Sequence, residues 1–274
     1  MTSGEVSALA PVSAVIPAYR ARATIARAIE SVATQTLRPQ EVIVVDDGSG
    51  DGTADFVRAL ATQYETGWLK LLAQDRNEGA ASARNAGWAV AQGEYVAFLD
   101  ADDAWLPQKI AVQYAYLRSH PEVAVCGHRF GFDGDRQIRL KTLPAVQAEP
   151  IRPMRMLLSN PFVTPSVMVR TDLPLRFHSG KRHMEDHLLW MEAALDGFKV
   201  VRLSAPLAVI GKAQFGESGL SADLWKMELG ELHNYRFLWK SGRVGLLVAL
   251  PLMIFSLAKY VRRLLIVAAR RAAS

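Results

Sequence analysis

The run Val42-Ile43-Val44-Val45 contains no polar residue and leads directly into two acids, Asp46-Asp47. A strand without polar alternation is covered on both faces, which points to a parallel sheet flanked by helices. The surrounding pattern agrees. Val12–Ile16 reads as a strand. Ile25, Ala28, Ile29 and Val32 repeat at helical spacing behind a candidate Thr24 cap. Leu69–Leu72 is a weaker strand, Ala80–Ala91 a helix rich in small residues, and Tyr95–Leu99 another strand. Pro107 suits the first turn of a helix carrying Ile110, Tyr114 and Leu117, and Val123–Cys126 reads as a strand. This order predicts a doubly wound α/β sheet with a nucleotide-sized crevice at the carboxyl edge of its strands.

The pattern is irregular from Arg129 to Pro153, where Asp133-Gly134-Asp135 looks like a turn. A strand over Ser166–Arg170 and a helix over Asp186–Leu195, closed by Gly197, follow. These elements predict a globular body over 1–235 and a helical tail over 236–274. The 274 residues suffice for one large domain with an appendage. The lone cysteine, Cys126, ends an apolar run, which favours a buried thiol and a reducing compartment. Met1–Ala10 lacks the basic start and long apolar run of a secretory signal.

Acids cluster where strands end. In Asp46-Asp47-Gly48-Ser49 a carboxylate could take a base N–H or ribose hydroxyls, although Asp, Gly and Ser also favour plain turns. Asp100-Ala101-Asp102-Asp103 follows Tyr95–Leu99. Its D-x-D spacing lets Asp100 and Asp102 share a divalent cation, Mn2+ or Mg2+, that bridges two phosphates; the alternative is a helix N-terminus enriched in acids. In Asn77–Gly87 small residues permit close packing, and Arg84 is placed to meet a phosphate or an acid. Met184-Glu185-Asp186-His187 opens an amphipathic helix whose acids serve either the helix dipole or general base chemistry on a hydroxyl acceptor. Glu185 and Trp190 are candidates for the acceptor side. His183 and His187, four apart, are a weaker metal pair.

Taken in order, Val12–Tyr19, Ser31–Thr36, Val44–Thr53, Asn77–Gly87, Gly93–Trp105 and Glu185–Trp190 resemble glycosyltransferase family 2 over roughly Val12 to Val200. The resemblance implies a GT-A-like mixed sheet with a Rossmann-like half, and inverting transfer from a nucleotide sugar, a UDP-sugar as first guess. It implies that Pro17, Tyr19, Asp46 and Asp47 hold the nucleoside and that Arg84 lies near the nucleotide. Asp100 and Asp102 would serve metal and diphosphate, and Asp186 would be the base. Arg20 stands where the family often has asparagine, and Gly50 where threonine is commoner. No Q-x-x-R-W sequence follows the Glu-Asp pair, so single-sugar rather than processive transfer is expected. The glycine-rich Phe215–Ser221 stands in that place. A nucleotidyltransferase acting on sugar phosphates and a non-catalytic glycosyltransferase-like scaffold remain alternatives.

The net charge of +5 hides a division. From Leu232 onward there are eight basic residues and no acid, which leaves 24 of the 32 basic residues against all 27 acids in the rest of the chain. The basic residues bracket Val244–Ala258, fifteen uncharged residues interrupted by Pro251. A spanning helix needs about 20 apolar residues. The tail is therefore expected to lie on a membrane surface, on its cytoplasmic side and without nucleic acid as partner, within reach of a lipid-linked hydroxyl acceptor; the alternatives are a buried core helix of the body, a dimer contact or a single span.

Overall fold

The computed structural model describes residues 9–132, 145–211 and 223–273. The expected turn at Asp133–Asp135 and the glycine-rich Phe215–Ser221 lie outside them. The chain builds β1 (Ala10–Ala18), α1 (Ile25–Ala33), β2 (Pro39–Asp46), α2 (Thr53–Ala61), β3 (Leu69–Ala73), α3 (Ala80–Ala89) and β4 (Tyr95–Phe98). It continues with β5 (Ala104–Trp105), α4 (Lys109–Ser119), β6 (Val123–Phe132), β7 (Ala148–Pro150), α5 (Pro153–Leu158), β8 (Met168–Arg170), α6 (Glu185–Leu195), β9 (Lys199–Ile210), α7 (Leu224–Lys240) and α8 (Leu246–Ala273).

One mixed sheet runs in the order β3-β2-β1-β4-β8-β6-β9-β5, with β7 on β9. The first four strands are parallel, and β8 is antiparallel to both β4 and β6. The sheet is therefore Rossmann-like on one side and mixed on the other, with strand order reversing at β1 and β4. Alternate residues of the buried strands feed two cores. Val15, Ile43, Val45 and Phe98 face α3, α6 and the α7–α8 pair, while Ala14, Ile16, Val42 and Val44 face α1 and α4. The small-residue helix α3 lies hard on the sheet. A Cβ added at Gly87 would come within 2.5 Å of Val15 Cγ1 and 3.1 Å of Val45 Cγ2, so only glycine allows this approach.

Several local expectations change. Thr24 occupies the N-cap of α1, but its hydroxyl donates to Ala21 O at 3.3 Å instead of accepting a helix amide. The helix expected to take Pro107 into its first turn starts at Lys109, and Pro107 lies ahead of it. The Trp105 backbone is taken by pairing with Ala208, and its indole N–H donates to Pro165 O at 2.8 Å. The strand expected over Ser166–Arg170 begins at Met168, behind a 3-10 turn at Thr164–Ser166.

The basic C-terminal region packs on the body. α7 runs through position 235, where Tyr235 is wholly buried and its hydroxyl donates to Leu157 O at 2.7 Å. α8 continues through Pro251 and contributes Ala249 and Leu252 to the core. Lys259 donates to Glu231 Oε1 at 2.7 Å and to Leu158 O at 3.0 Å, and Arg243 grips Asp196 at 2.8 and 2.9 Å. Leu247, Leu250, Ile254, Leu257, Val261 and Leu265 remain outward at helical spacing, Leu247 at 90% and Ile254 at 68% exposure. No helix among the described residues is long and apolar enough to cross a membrane.

Candidate active site

The parallel strands deliver their carboxyl ends to one edge. Ala18 is level with Asp46, and Leu99 N donates to Val15 O at 3.0 Å, which sets the Asp100 segment beside β1. The loops beyond are stitched to one another. Ser49 donates its hydroxyl to Asp46 Oδ1 and accepts from Arg20 N at 2.9 Å. Thr53 Oγ1 accepts from Ala21 N at 3.1 Å.

Asp47 is 2% exposed, and both of its oxygens are engaged, by Glu78 N at 2.7 Å and Gly79 N at 2.8 Å. A carboxylate held by two amides clamps the β2–α2 loop to the start of α3. Gly48, beside it, adopts φ +64° with the Arg76 backbone where a Cβ would stand. Asp47, expected to meet the nucleoside, thus also fixes the loops around it. Asp46 is also buried, and Pro17 is buried within β1. Tyr19 is the outward side chain of this group, with the Arg20 guanidinium 5.3 Å from its ring centre.

Arg84 is 4% exposed on α3 and joins two segments distant in sequence. Its Nη2 donates to Asp100 Oδ1 at 2.7 Å and its Nη1 to Glu185 Oε1 at 2.9 Å, with the Phe177 ring 5.4 Å away. Burial works against its charge, but the Asp100 and Glu185 carboxylates outweigh it and raise its pKa above the ordinary arginine value. Of the two partners expected from sequence, phosphate or acid, the described contacts are with acids. Burial raises the Glu185 pKa, Arg84 opposes that, and the neighbouring Asp186 adds to it. The acid pair follows Met184, held at φ +57°, whose carbonyl accepts from buried Asn234 on α7 at 2.9 Å. Asp186 Oδ1 accepts from His187 N at 2.6 Å and Oδ2 from Thr164 Oγ1 at 3.2 Å, which fixes its carboxylate at the mouth of α6.

Asp100 and Asp102 stand where β4 ends. Asp100 Oδ2 takes no hydrogen bond from the described residues, and Asp102 is half-buried, its carbonyl accepting from Arg27. Asp103 is held by Gly211 N at 2.8 Å. No group of three or more His, Cys, Asp or Glu that could hold a metal occurs among the described residues. Two carboxylates still suit a hard ion that keeps substrate phosphates as its other ligands.

Two candidates leave the site. Trp190 is 0% exposed and packs edge-on against Phe177 at 5.9 Å, so it belongs to the core and not to the acceptor side. His187 is wholly buried, with Nε2 on Met156 O at 2.7 Å, so it belongs to the core. Cys126 is buried, and burial pushes its thiol up to about 12, as befits an inert core residue. Thr164 and Asn234 were not legible as site residues, since each acts only through a contact made in the fold.

A sheet with this order, its parallel half ending on acids that face a second acid pair on a helix, defines a GT-A-like α/β protein. The sequence profile described as glycosyl transferase family 2 matches residues 13–173. The chain is 30% identical over 207 residues to the putative glycosyltransferase EpsE of Bacillus subtilis, covering 72% of this chain and 71% of that one. It is also 38% identical to the UDP-Glc:alpha-D-GlcNAc-diphosphoundecaprenol beta-1,3-glucosyltransferase WfgD of Escherichia coli, over 39% of this chain and 40% of WfgD. Among solved structures, S. aureus TarS in complex with UDP-GlcNAc superposes with a TM-score of 0.63 at 22% identity, covering 92% of this chain and 80% of that one. The mannosyltransferase PcManGT of Pyrobaculum calidifontis, in complex with GDP-Man and Mn2+, gives 0.61 at 19% identity, over 98% and 84%. The chain belongs to glycosyl transferase family 2.

Proposed function

We propose that this enzyme transfers a single sugar, with inversion, from a nucleoside-diphosphate sugar to a hydroxyl of a lipid-linked acceptor during cell-surface glycan assembly. The observation that carries this reading is Arg84, which locks the Asp100 segment and the Glu185-Asp186 turn across one crevice. Donor chemistry and acceptor chemistry need such a fixed relation, because alignment of the reacting groups supplies much of the rate. The donors and acceptor named for WfgD and TarS support a UDP-sugar and a diphosphate-linked lipid here.

Asp186 takes the proton of the acceptor hydroxyl. That oxygen forms the new bond to the anomeric carbon as the bond to the diphosphate breaks on the opposite face, and the diphosphate departs with the electron pair. Thr164 and the His187 amide keep the Asp186 carboxylate in place during the transfer. Asp100 and Asp102 would hold Mg2+ or Mn2+, which when bound offsets the charge on the leaving diphosphate. Tyr19 flanks the nucleoside, and Asp46 and Asp47 shape its loops. The outward apolar stripe of α8, with Arg262 exposed beside it, seats the enzyme on an anionic membrane at the cytoplasmic side.

The test is a panel of UDP- and GDP-sugars with Mg2+ or Mn2+ and lipid-linked sugar acceptors. We expect acceptor-dependent release of nucleoside diphosphate and a product of opposite anomeric configuration. Asp186→Asn should slow turnover by roughly 10²–10⁴-fold at unchanged donor affinity. Silence on every donor, or release of inorganic diphosphate from a nucleoside triphosphate, would overturn the reading.

A further inference from the structure

The segment before the acid pair, His178-Ser179-Gly180-Lys181-Arg182-His183, faces α7 across a cavity of about 650 Å³. Its walls carry Lys181, Arg182 and Lys226 as cations and His178, His183 and His233 as imidazoles. The acids at its border are few. Glu192 pairs with His178 at 2.7 Å and Asp223 with Lys226 at 2.9 Å. Among the described residues no carboxylate lies in ion-pair contact with Lys181 or Arg182. Lys181 donates to Gly230 O at 3.1 Å and Arg182 to Asn77 Oδ1 at 3.1 Å. Gly230 lets the segment lie against α7, since a Cβ there would meet His183 O at 2.9 Å.

Lys181 and Arg182 stand outside any ion pair among the described residues, while Lys226 is paired with Asp223. Burial lowers the His183 pKa, Lys226 lowers it further, Asp223 opposes that, and Lys181 and Arg182 add to the lowering. His183 Nδ1 is buried without a partner. Burial brings Lys181 down to about 8 while the Glu185 and Asp186 carboxylates pull it back up, so the cavity adjoins the candidate base. An apolar surface leads away from it. Leu229 lines the cavity, Trp225 is one turn earlier on α7, and Trp225 meets Tyr260 of α8 at 5.6 Å.

We propose that this cavity is the seat of the acceptor's diphosphate, with Lys181, Arg182 and Lys226 on its oxygens and the polyprenyl chain leaving over Leu229 and Trp225 toward α8. The assignment rests on the reading of the enzyme as a transferase to a lipid-linked hydroxyl. A diphosphate here lies within electrostatic reach of Asp186 through Lys181, so the first sugar it carries reaches the base, and Arg182 borders the Asn77–Gly79 loop that Asp47 fixes. Arginine and lysine donate charge-assisted hydrogen bonds to such an anion.

The experiment uses the full chain and the double variant Arg182→Gln/Lys226→Gln, both exposed positions, checked by thermal melting. Binding is measured by titration with farnesyl diphosphate, inorganic diphosphate, farnesol and UDP. Loss of two charge-assisted contacts should weaken farnesyl diphosphate by about tenfold or more, while UDP stays within about twofold. Wild type should bind farnesyl diphosphate more tightly than inorganic diphosphate or farnesol. Equal affinity of wild type and variant for farnesyl diphosphate would overturn the seat. A parallel loss of UDP would reassign the cavity to the donor. Inorganic diphosphate binding as tightly as the farnesyl form would make it a free-anion site. Loss of flotation on phosphatidylglycerol vesicles with farnesyl diphosphate binding intact would make it a headgroup contact. UDP binding with no transfer to any acceptor would overturn the transferase reading and leave the binding result standing.

Discussion

Arg84 and Glu185 lie 101 positions apart in the chain and 2.9 Å apart in the fold. The same guanidinium reaches Asp100, so one cation ties the end of β4 to the mouth of α6. Removing one member of a buried pair leaves the others uncompensated, which typically costs about 3–5 kcal/mol. Arg84→Met should lower the urea midpoint accordingly and abolish transfer. Adding Glu185→Gln should recover part of the stability and none of the activity. A single variant that unfolds like the wild type would show that the bridge carries no weight.

We expect divalent metal dependence from the donor set at Asp100 and Asp102. Excess chelator should silence the wild type, and Mg2+ or Mn2+ should restore it. Asp102→Ala should remove transfer while shifting stability much less, by about 1 kcal/mol. Full activity in chelator would refute this expectation.

The apolar stripe of α8 can be tested without dismantling the fold. Deleting the helix would strip Ala249 and Leu252 from the core, so outward positions are the better choice. Leu247→Glu/Ile254→Glu/Val261→Glu should abolish flotation with phosphatidylglycerol liposomes, with the melting temperature nearly unchanged. A wild type that stays at the bottom of the gradient would end the membrane reading.

His128 makes stability depend on acidity. It is wholly buried, and burial, then Lys109, lowers its pKa from 6.5 to about 3. Between those values the unfolded chain binds a proton that the folded one refuses. Its contribution is thus complete above about pH 6.5 and is lost progressively as the pH falls toward 3. The urea midpoint should drop between pH 7.5 and pH 5, and the drop should be smaller in His128→Asn. An equal drop in both proteins would assign the acid sensitivity to other groups.

The parallel half of the sheet was legible because its signals are local. Val42–Val45 is apolar on both faces, and the acids that follow mark its end. The remainder depends on partners far away in sequence. Asp46 and Asp47 look alike as letters, but only Asp47 meets the two amides of the next loop. Arg84 was readable as a cation near acids, whereas the choice of Asp100 and Glu185 was not. Trp190 follows two acids on what reads as an amphipathic helix, yet α6 is buried on every side from His187 to Ala194. Thr164, Asn234 and the Lys181 cavity arise from packing between segments and leave no mark in spacing. The basic C-terminal stretch reads as a tail because its charges dominate. Its Tyr235, Ala249 and Leu252 show that one side of it completes the core.

Met184 has a consequence for anyone who re-engineers this chain. A side chain at φ +57° carries a penalty of roughly 1–2 kcal/mol that glycine would avoid. Screening for heat resistance alone would therefore favour glycine at 184. That choice would also give the backbone ahead of the Glu185-Asp186 turn more freedom, against which Arg84, Thr164 and the Asn234 bond would still act. Variants improved for durability at this position would be slower catalysts, and the most active sequence would not be the most robust one.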